Sequence, residues 1–390
     1  STRVRSSAAS DVYKRQQLCD VGRQFSRCKT VEERFLVYET YLGLVDSYFT
    51  ATGKEYCNKK LYRSFVKEGE NFFFEVCASN FNNFVINKDF HANLMLSCYA
   101  QLDSFFQDFC ESSYCGRLEK KKLSPINEEI DEDCALLMKF FREEAPELCS
   151  LYQMVVDSGN LYAMGEDDWL REGLSIFNLV QKKANVFVSP SNPSFKELSL
   201  VPHELGHVEE FRYFLDYSPV MDTLRYFASG CLSEVVSTYY EQLFLEFYIN
   251  HGNRRDDALL GMVNHFEKGL NDIWDSYVLA LLPKKSLEEI KDTNVELSST
   301  ETELMELGLL SPSWLSEEDR IISVGISPIY AYGFLLANYF LEHPDSYTLF
   351  QEKKNQSFSP EFLESLGITT ESLSKTLVKR GERLFGRYMD

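Results

Sequence analysis

From Leu18 to Cys115 apolar residues recur at helical spacing. Val31 to Leu42 keeps a period near 3.6, and Asn93 to Phe109 sets Leu94, Cys98, Leu102, Phe105 and Phe109 on one stripe. Aromatic residues crowd this region, as in Phe72-Phe73-Phe74, and such stripes predict faces turned into a core. The pattern breaks at Gly116 to Asp133, where Lys120-Lys121-Lys122, Pro125 and an acidic run read as a linker. A helix resumes near Cys134. Asn185 to Ser189 is a short β-type stretch closed by Pro190, Asn192 and Pro193. Just before a helix, it is either a strand edge that could hold an extended chain by β-addition or a small structural hairpin. The expected organisation is an N-terminal helical region over 17–120 and a second region over 121–390. Residues 1–16 resemble translated sequencing-adaptor sequence and are expected to be an artefact or a disordered tail, so they are set aside.

The helix after that stretch carries the chemistry. Leu200-Val201-Pro202-His203-Glu204-Leu205-Gly206-His207 contains H-E-x-x-H. Positions i and i+4 share a helix face, so His203 and His207 can aim one ring nitrogen each at a common point. Two neutral imidazoles at that spacing suit zinc. Glu204 projects about 100° round the helix from His203. It would sit beside the metal rather than on it, where a general base takes a proton from water. Histidine is scarce, six in the chain, so the motif is not a by-product of composition.

Composition narrows the partners. A formal charge of −20 excludes the basic footprint of a nucleic-acid surface and disfavours an anionic membrane. The 44% hydrophobic content is ordinary for a globular protein. Ten irregularly spaced cysteines without a C-x-x-C pair suggest reduced, mostly buried thiols, hence a cytoplasmic protein. The longest apolar stretch, Ile329 to Leu341, is interrupted by Gly333 and Asn338 and falls short of a membrane span.

A catalytic zinc usually takes three protein ligands and a water. No third histidine follows closely, so a carboxylate is expected. Glu209 and Glu210 share the helix of the histidines and cannot easily close a tetrahedron. Glu234, in Ser233-Glu234-Val235-Val236-Ser237, is the favoured third ligand. Glu241, two turns and about 10 Å further along the same helical face, is the next candidate.

Three segments carry a resemblance to the thimet-type zinc oligopeptidases, closest to the oligoendopeptidase F branch. Asn185 to His207 resembles that family's strand, loop and H-E-L-G-H helix. Leu232 to Thr238 resembles its second metal helix, and Ile329-Tyr330-Ala331-Tyr332-Gly333 its late tyrosine motif. There are departures: Glu210 stands where members often carry a further histidine, and Ser327-Pro328 precedes the tyrosines.

The resemblance implies a mainly α fold of two helical lobes flanking a deep substrate channel, with a small β element next to the zinc helix. It implies one Zn2+ per chain on His203, His207 and Glu234, with 121–390 as the catalytic region. The expected activity is endopeptidase hydrolysis of internal bonds in short unfolded peptides. Glu204 would be the base, and Tyr330 or Tyr332 would stabilise the oxyanion. The alternatives are a zinc carboxypeptidase with the same H-E-x-x-H start, or a catalytically weak peptide-binding relative.

Overall fold

The structure is a computed structural model. It describes residues 87–112, 130–157, 161–163, 174–178, 183–188, 195–217, 232–281, 317–354 and 358–386, with a few isolated positions besides. Val31 to Leu42 for the most part, Phe72-Phe73-Phe74, nearly all of the expected linker and Pro190 to Pro193 lie outside the described residues. In chain order the helices are α1 (Lys88–Cys110), α2 (Ile130–Glu143) and α3 (Pro146–Asp157), and then, after three short strands, α4 (Phe195–Tyr217). They continue as α5 (Val235–His251), α6 (Arg255–Leu281), α7 (Glu317–Glu342), α8 (Pro344–Lys353), α9 (Pro360–Ser365) and α10 (Thr370–Phe385). Among the described residues no helix is long and apolar enough to cross a membrane.

One contiguous core runs through these helices. Of the stripe expected over Asn93 to Phe109, Leu94, Cys98, Leu102 and Phe109 are buried on α1, with Met95 and Phe106 beside them, while Phe105 is only partly buried against the core. Phe106 and Phe109 meet Phe266 of α6 and Phe385 of α10, with ring centroids 4.7 Å apart for Phe109–Phe385 and 5.1 Å for Phe266–Phe385. Burial pushes the Cys98 thiol up to about 12, so it is an inert packing group.

A second tie is polar. Arg380 of α10 is fully buried and donates to Asn338 of α7 at 2.6 Å and to Gln242 of α5 at 3.2 Å. It also pairs with Glu246 and Glu342, so a charge that would be costly alone is held by carboxylates on α5 and α7. This ties the C-terminal helix to the two helices that flank the site.

The mainly helical class stands, with packed helical lobes, but the small β element expected next to the metal helix needs correction. The stretch read as a strand edge beside the metal helix is the middle strand of a mixed sheet. β3 (Lys183–Val188) lies between β1 (Leu161–Ala163), which is parallel to it, and β2 (Leu174–Asn178), which is antiparallel. The register pairs Leu161–Ala163 with Val186–Val188 and Leu174–Asn178 with Phe187–Lys183. β3 is paired with β2 along Lys183–Phe187 and with β1 along Val186–Val188, so both backbone edges are taken at Val186 and Phe187, and those two residues offer no edge for β-addition. The other reading, a small structural hairpin, fits the antiparallel pair of β2 and β3, which closes at Asn178 and Lys183, while β1 on the far side was not read from the sequence. Strands of three, five and six residues beside helices of up to 27 leave the class simply mainly α.

Two prolines shape the helices that bear the motifs. Pro202 of α4 and Pro328 of α7 each lack the N–H that would reach back one turn, which loosens the helix just before His203 and just before Tyr330.

Candidate metal centre

α4 and α5 cross at a glycine. A β-carbon placed on Gly206 would stand 2.7 Å from Cα of Ser237, closer than side chains tolerate. The glycine inside the H-E-L-G-H helix thus lets the two backbones approach. That approach brings Glu234, the residue capping the N-terminus of α5, onto the face of α4 that bears both histidines. Glu234 makes no side-chain capping bond to α5, so its carboxylate is left to face the histidines. Ser237 donates to Glu234 Oε2 at 3.0 Å and fixes its rotamer. α7 passes on the other side, again at a glycine: a β-carbon on Gly333 would stand 2.7 Å from Glu234 Cβ.

The three groups converge. Glu234 Oε2 lies 3.4 Å from His203 Nε2 and 3.5 Å from His207 Nε2, and all three atoms fall within 4.8 Å of one another. The imidazole rings are 5.0 Å apart at 82°. Ligands about 2.0–2.2 Å from a tetrahedral zinc stand about 3.3–3.6 Å apart, so the two carboxylate–imidazole separations fit that ion. Two imidazole nitrogens and a carboxylate oxygen are also a zinc donor set. His203, His207 and Glu234 expose 17%, 17% and 13% of their side chains, enough for an ion to remain in reach of water. The cluster can coordinate a metal ion.

Its charges are coupled. Burial would raise the Glu234 carboxyl, but His207 and His203 outweigh it and hold Glu234 well below the usual carboxylate range. Burial would lower His203, but Glu241 and Glu234 outweigh it and hold the ring well above its ordinary value. An ion bound here would meet a carboxylate held ionised by the neighbouring rings.

Glu204 is buried between the helix and the sheet. The Ser175 hydroxyl of β2 donates to its Oε2 at 2.6 Å. Burial raises its carboxyl pKa, while the neighbouring histidines and Ser175 pull it down.

Glu241 was ranked as the substitute third ligand. It lies instead behind His203, with Oε2 2.7 Å from Nδ1, the nitrogen turned away from Glu234. Its Oε1 accepts from Ser199 at 3.1 Å and lies 2.7 Å from His265 Nε2 of α6. Carboxylates at Glu234 and Glu241, seven residues apart on one face, thus grip the two nitrogens of one imidazole. Sequence reasoning missed Ser175, Ser199 and His265. Histidine scarcity was a usable signal for His265, since three of the six histidines gather here.

The tyrosines part company. Tyr332 is fully buried and its hydroxyl stands 2.5 Å from Nδ1 of His91 on α1. Burial lowers His91 to about 4, so its neutral ring can accept from the phenol. Tyr330 is partly buried, with the Lys268 ammonium 4.6 Å above its ring. Glu209 and Glu210 are not brought to the cluster's donor atoms: Glu209 pairs with the buried Lys354 at 3.6 Å.

No protein family matches the chain, and no curated protein matches it. A crystal structure from Bacillus anthracis str. Ames, assigned as an oligoendopeptidase F, is similar at 12% identity and a TM-score of 0.48, covering 99% of this chain and 76% of that one. That likeness is distant.

Proposed function

We propose that the protein is a zinc-dependent peptidase that cleaves internal bonds of short unfolded peptides. The observation that carries this reading is the convergence of His203, His207 and Glu234 within 4.8 Å, with the Glu204 carboxylate on the next position of the same helix. His203, His207 and Glu234 would hold one ion per chain. Bound there, zinc acidifies water and polarises a carbonyl oxygen.

The chain's own residues do the rest. Glu204 accepts the proton of the attacking water and returns it to the leaving amine. Ser175 holds the carboxylate in one orientation, and burial keeps its proton affinity above that of a solvated glutamate. Glu241 keeps the His203 proton on Nδ1, which leaves Nε2 as the donor atom. Tyr330 is the stronger candidate for oxyanion stabilisation. The Tyr332 hydroxyl lies against His91, whereas the Tyr330 ring is partly buried beneath the Lys268 ammonium. The oligopeptidase-like motif segments support an oligoendopeptidase type of action.

The deciding experiment is cleavage of an internally quenched fluorescent peptide by the protein, by the chelator-treated protein and after zinc is returned. Cleavage that chelation abolishes and zinc restores is expected, with mass spectrometry placing the cut at an internal bond. Cleavage that survives complete metal removal overturns the reading. Release of single C-terminal residues would instead make it a carboxypeptidase.

A further inference from the structure

We propose that His265 is a positioning residue for the metal centre. By donating from Nε2 to Oε1 of Glu241, it holds that carboxylate on Nδ1 of His203 and so helps set metal affinity. This rests on the metal-centre reading.

The geometry is continuous. His265 Nε2 lies 2.7 Å from Glu241 Oε1, and Glu241 Oε2 lies 2.7 Å from His203 Nδ1. His203 Nε2 then faces Glu234 at 3.4 Å. Glu241 is almost wholly buried, so its charge must be matched by donors. Three groups supply them, Ser199, His203 and His265, from α4 and α6. Ser199 alone on Oε1 leaves a longer bond of 3.1 Å to hold that oxygen. Without His265 the carboxylate is free to turn away from Nδ1, and the imidazole loses the partner that sets its tautomer and its plane.

The place of His265 is set by the fold. On α6 it directly precedes Phe266, which is fully buried against Phe334 of α7 and Phe385 of α10. Met262 and Val263 are buried one turn before it. The backbone bearing the ring is thus anchored in the core, while 21% of the side chain stays exposed. A ring held by packing on one side and aimed at a buried carboxylate on the other is arranged to orient that carboxylate.

Two variants separate donation from packing. H265F keeps a planar ring and removes the N–H, and H265Q keeps an amide N–H near the Nε2 position. The full chain is stripped of metal, and zinc affinity is measured by competition with a chromophoric chelator. The visible bands of the cobalt-loaded protein report ligand geometry, and melting of the metal-free protein controls for folding. H265F is expected to bind zinc about tenfold more weakly with shifted cobalt bands, and H265Q to stay within about threefold of wild type. Wild-type affinity and cobalt bands in H265F overturn the proposal, as does an H265Q as weak as H265F. If wild type itself binds neither zinc nor cobalt, the metal-centre reading falls and this inference with it. If wild type binds and H265F matches it, only this inference falls.

Discussion

A β-carbon on Gly206 would stand 2.7 Å from the Cα of Ser237, so the backbones of α4 and α5 touch where the histidine helix meets the helix capped by Glu234. The neighbouring atoms at that spot are backbone, Ser237 N at 3.0 Å and Val236 O at 3.1 Å, and no side chain can swing aside to make room. G206A must therefore push the helices apart. Alanine gains about 1 kcal/mol of helix propensity over glycine. Overpacking of a tight core costs about 1–3 kcal/mol, and a backbone contact belongs at the upper end. Net destabilisation of roughly 1–2 kcal/mol is expected in urea denaturation, with weaker zinc binding, because the same spacing sets the 3.4 and 3.5 Å donor separations. Wild-type stability together with wild-type zinc affinity would contradict the close approach.

E234A and E241Q should be distinguishable. E234A removes a donor atom from the cluster and should abolish stoichiometric zinc in elemental analysis. E241Q leaves the cluster intact but sets an amide against His203 Nδ1 and His265 Nε2, where a charged acceptor stood. Loss of such an outer partner weakens metal binding about 10–100-fold. The order expected in chelator competition is wild type, then E241Q, then E234A. An E241Q that retains wild-type affinity would place Glu241 outside the centre's support.

E204Q should keep zinc and lose turnover. The amide preserves shape and can still meet Ser175, but it accepts no proton at neutral pH. General-base help of about 10²–10⁴-fold should disappear from the peptide assay at equal zinc loading. More than about a tenth of wild-type rate remaining would remove Glu204 from that role.

The parts of this site legible in the sequence are those that one helix determines. His203, Glu204 and His207 follow from i, i+4 geometry, which needs no tertiary information. Glu234 is legible only through the Ser233-Glu234-Val235-Val236-Ser237 segment and its resemblance to a second metal helix. That it caps α5 rather than lying within it emerges only from the crossing at Gly206. Glu241 was correctly placed two turns along the same face, yet its role was misjudged. A distance measured along one helix says nothing about which nitrogen of a neighbouring helix's histidine it meets. Ser175 and His265 are 29 residues before Glu204 and 24 after Glu241, and only the packing of β2 and α6 brings them in. Tyr330 and Tyr332 were inseparable by pattern. Two residues apart on a helix they point about 200° apart, so one can face the site while the other faces the core. Of the two readings open for Asn185 to Ser189, the hairpin fits the local β2–β3 pairing, whereas the free edge failed at Val186 and Phe187 because the partner there, β1, starts 25 residues earlier at Leu161, a contact that a short apolar run does not reveal.

Asp272 offers a test by pH. It lies on α6 one turn beyond Lys268, partly buried, and its carboxyl is pushed up from 3.8 to about 7. Burial is the largest cause; the charges of Asp275 and Glu234 add to it, and Lys268 opposes them. The folded state thus holds this proton more tightly than the unfolded chain. The stability it contributes is full below about 3.8 and is lost as pH rises through about 7. D272N replaces the titrating group with a neutral one of the same shape. In metal-free protein at pH 8 the variant should exceed wild type by on the order of 1–3 kcal/mol in urea denaturation. Near pH 4, where wild type is mostly protonated in the folded state, the two should nearly coincide. Zinc should shrink the pH 8 difference, because an ion on Glu234 offsets one of the charges that raise Asp272. A variant no more stable than wild type at pH 8, or equally stabilised at pH 4 and pH 8, would show that Asp272 does not carry a strained charge beside the cluster.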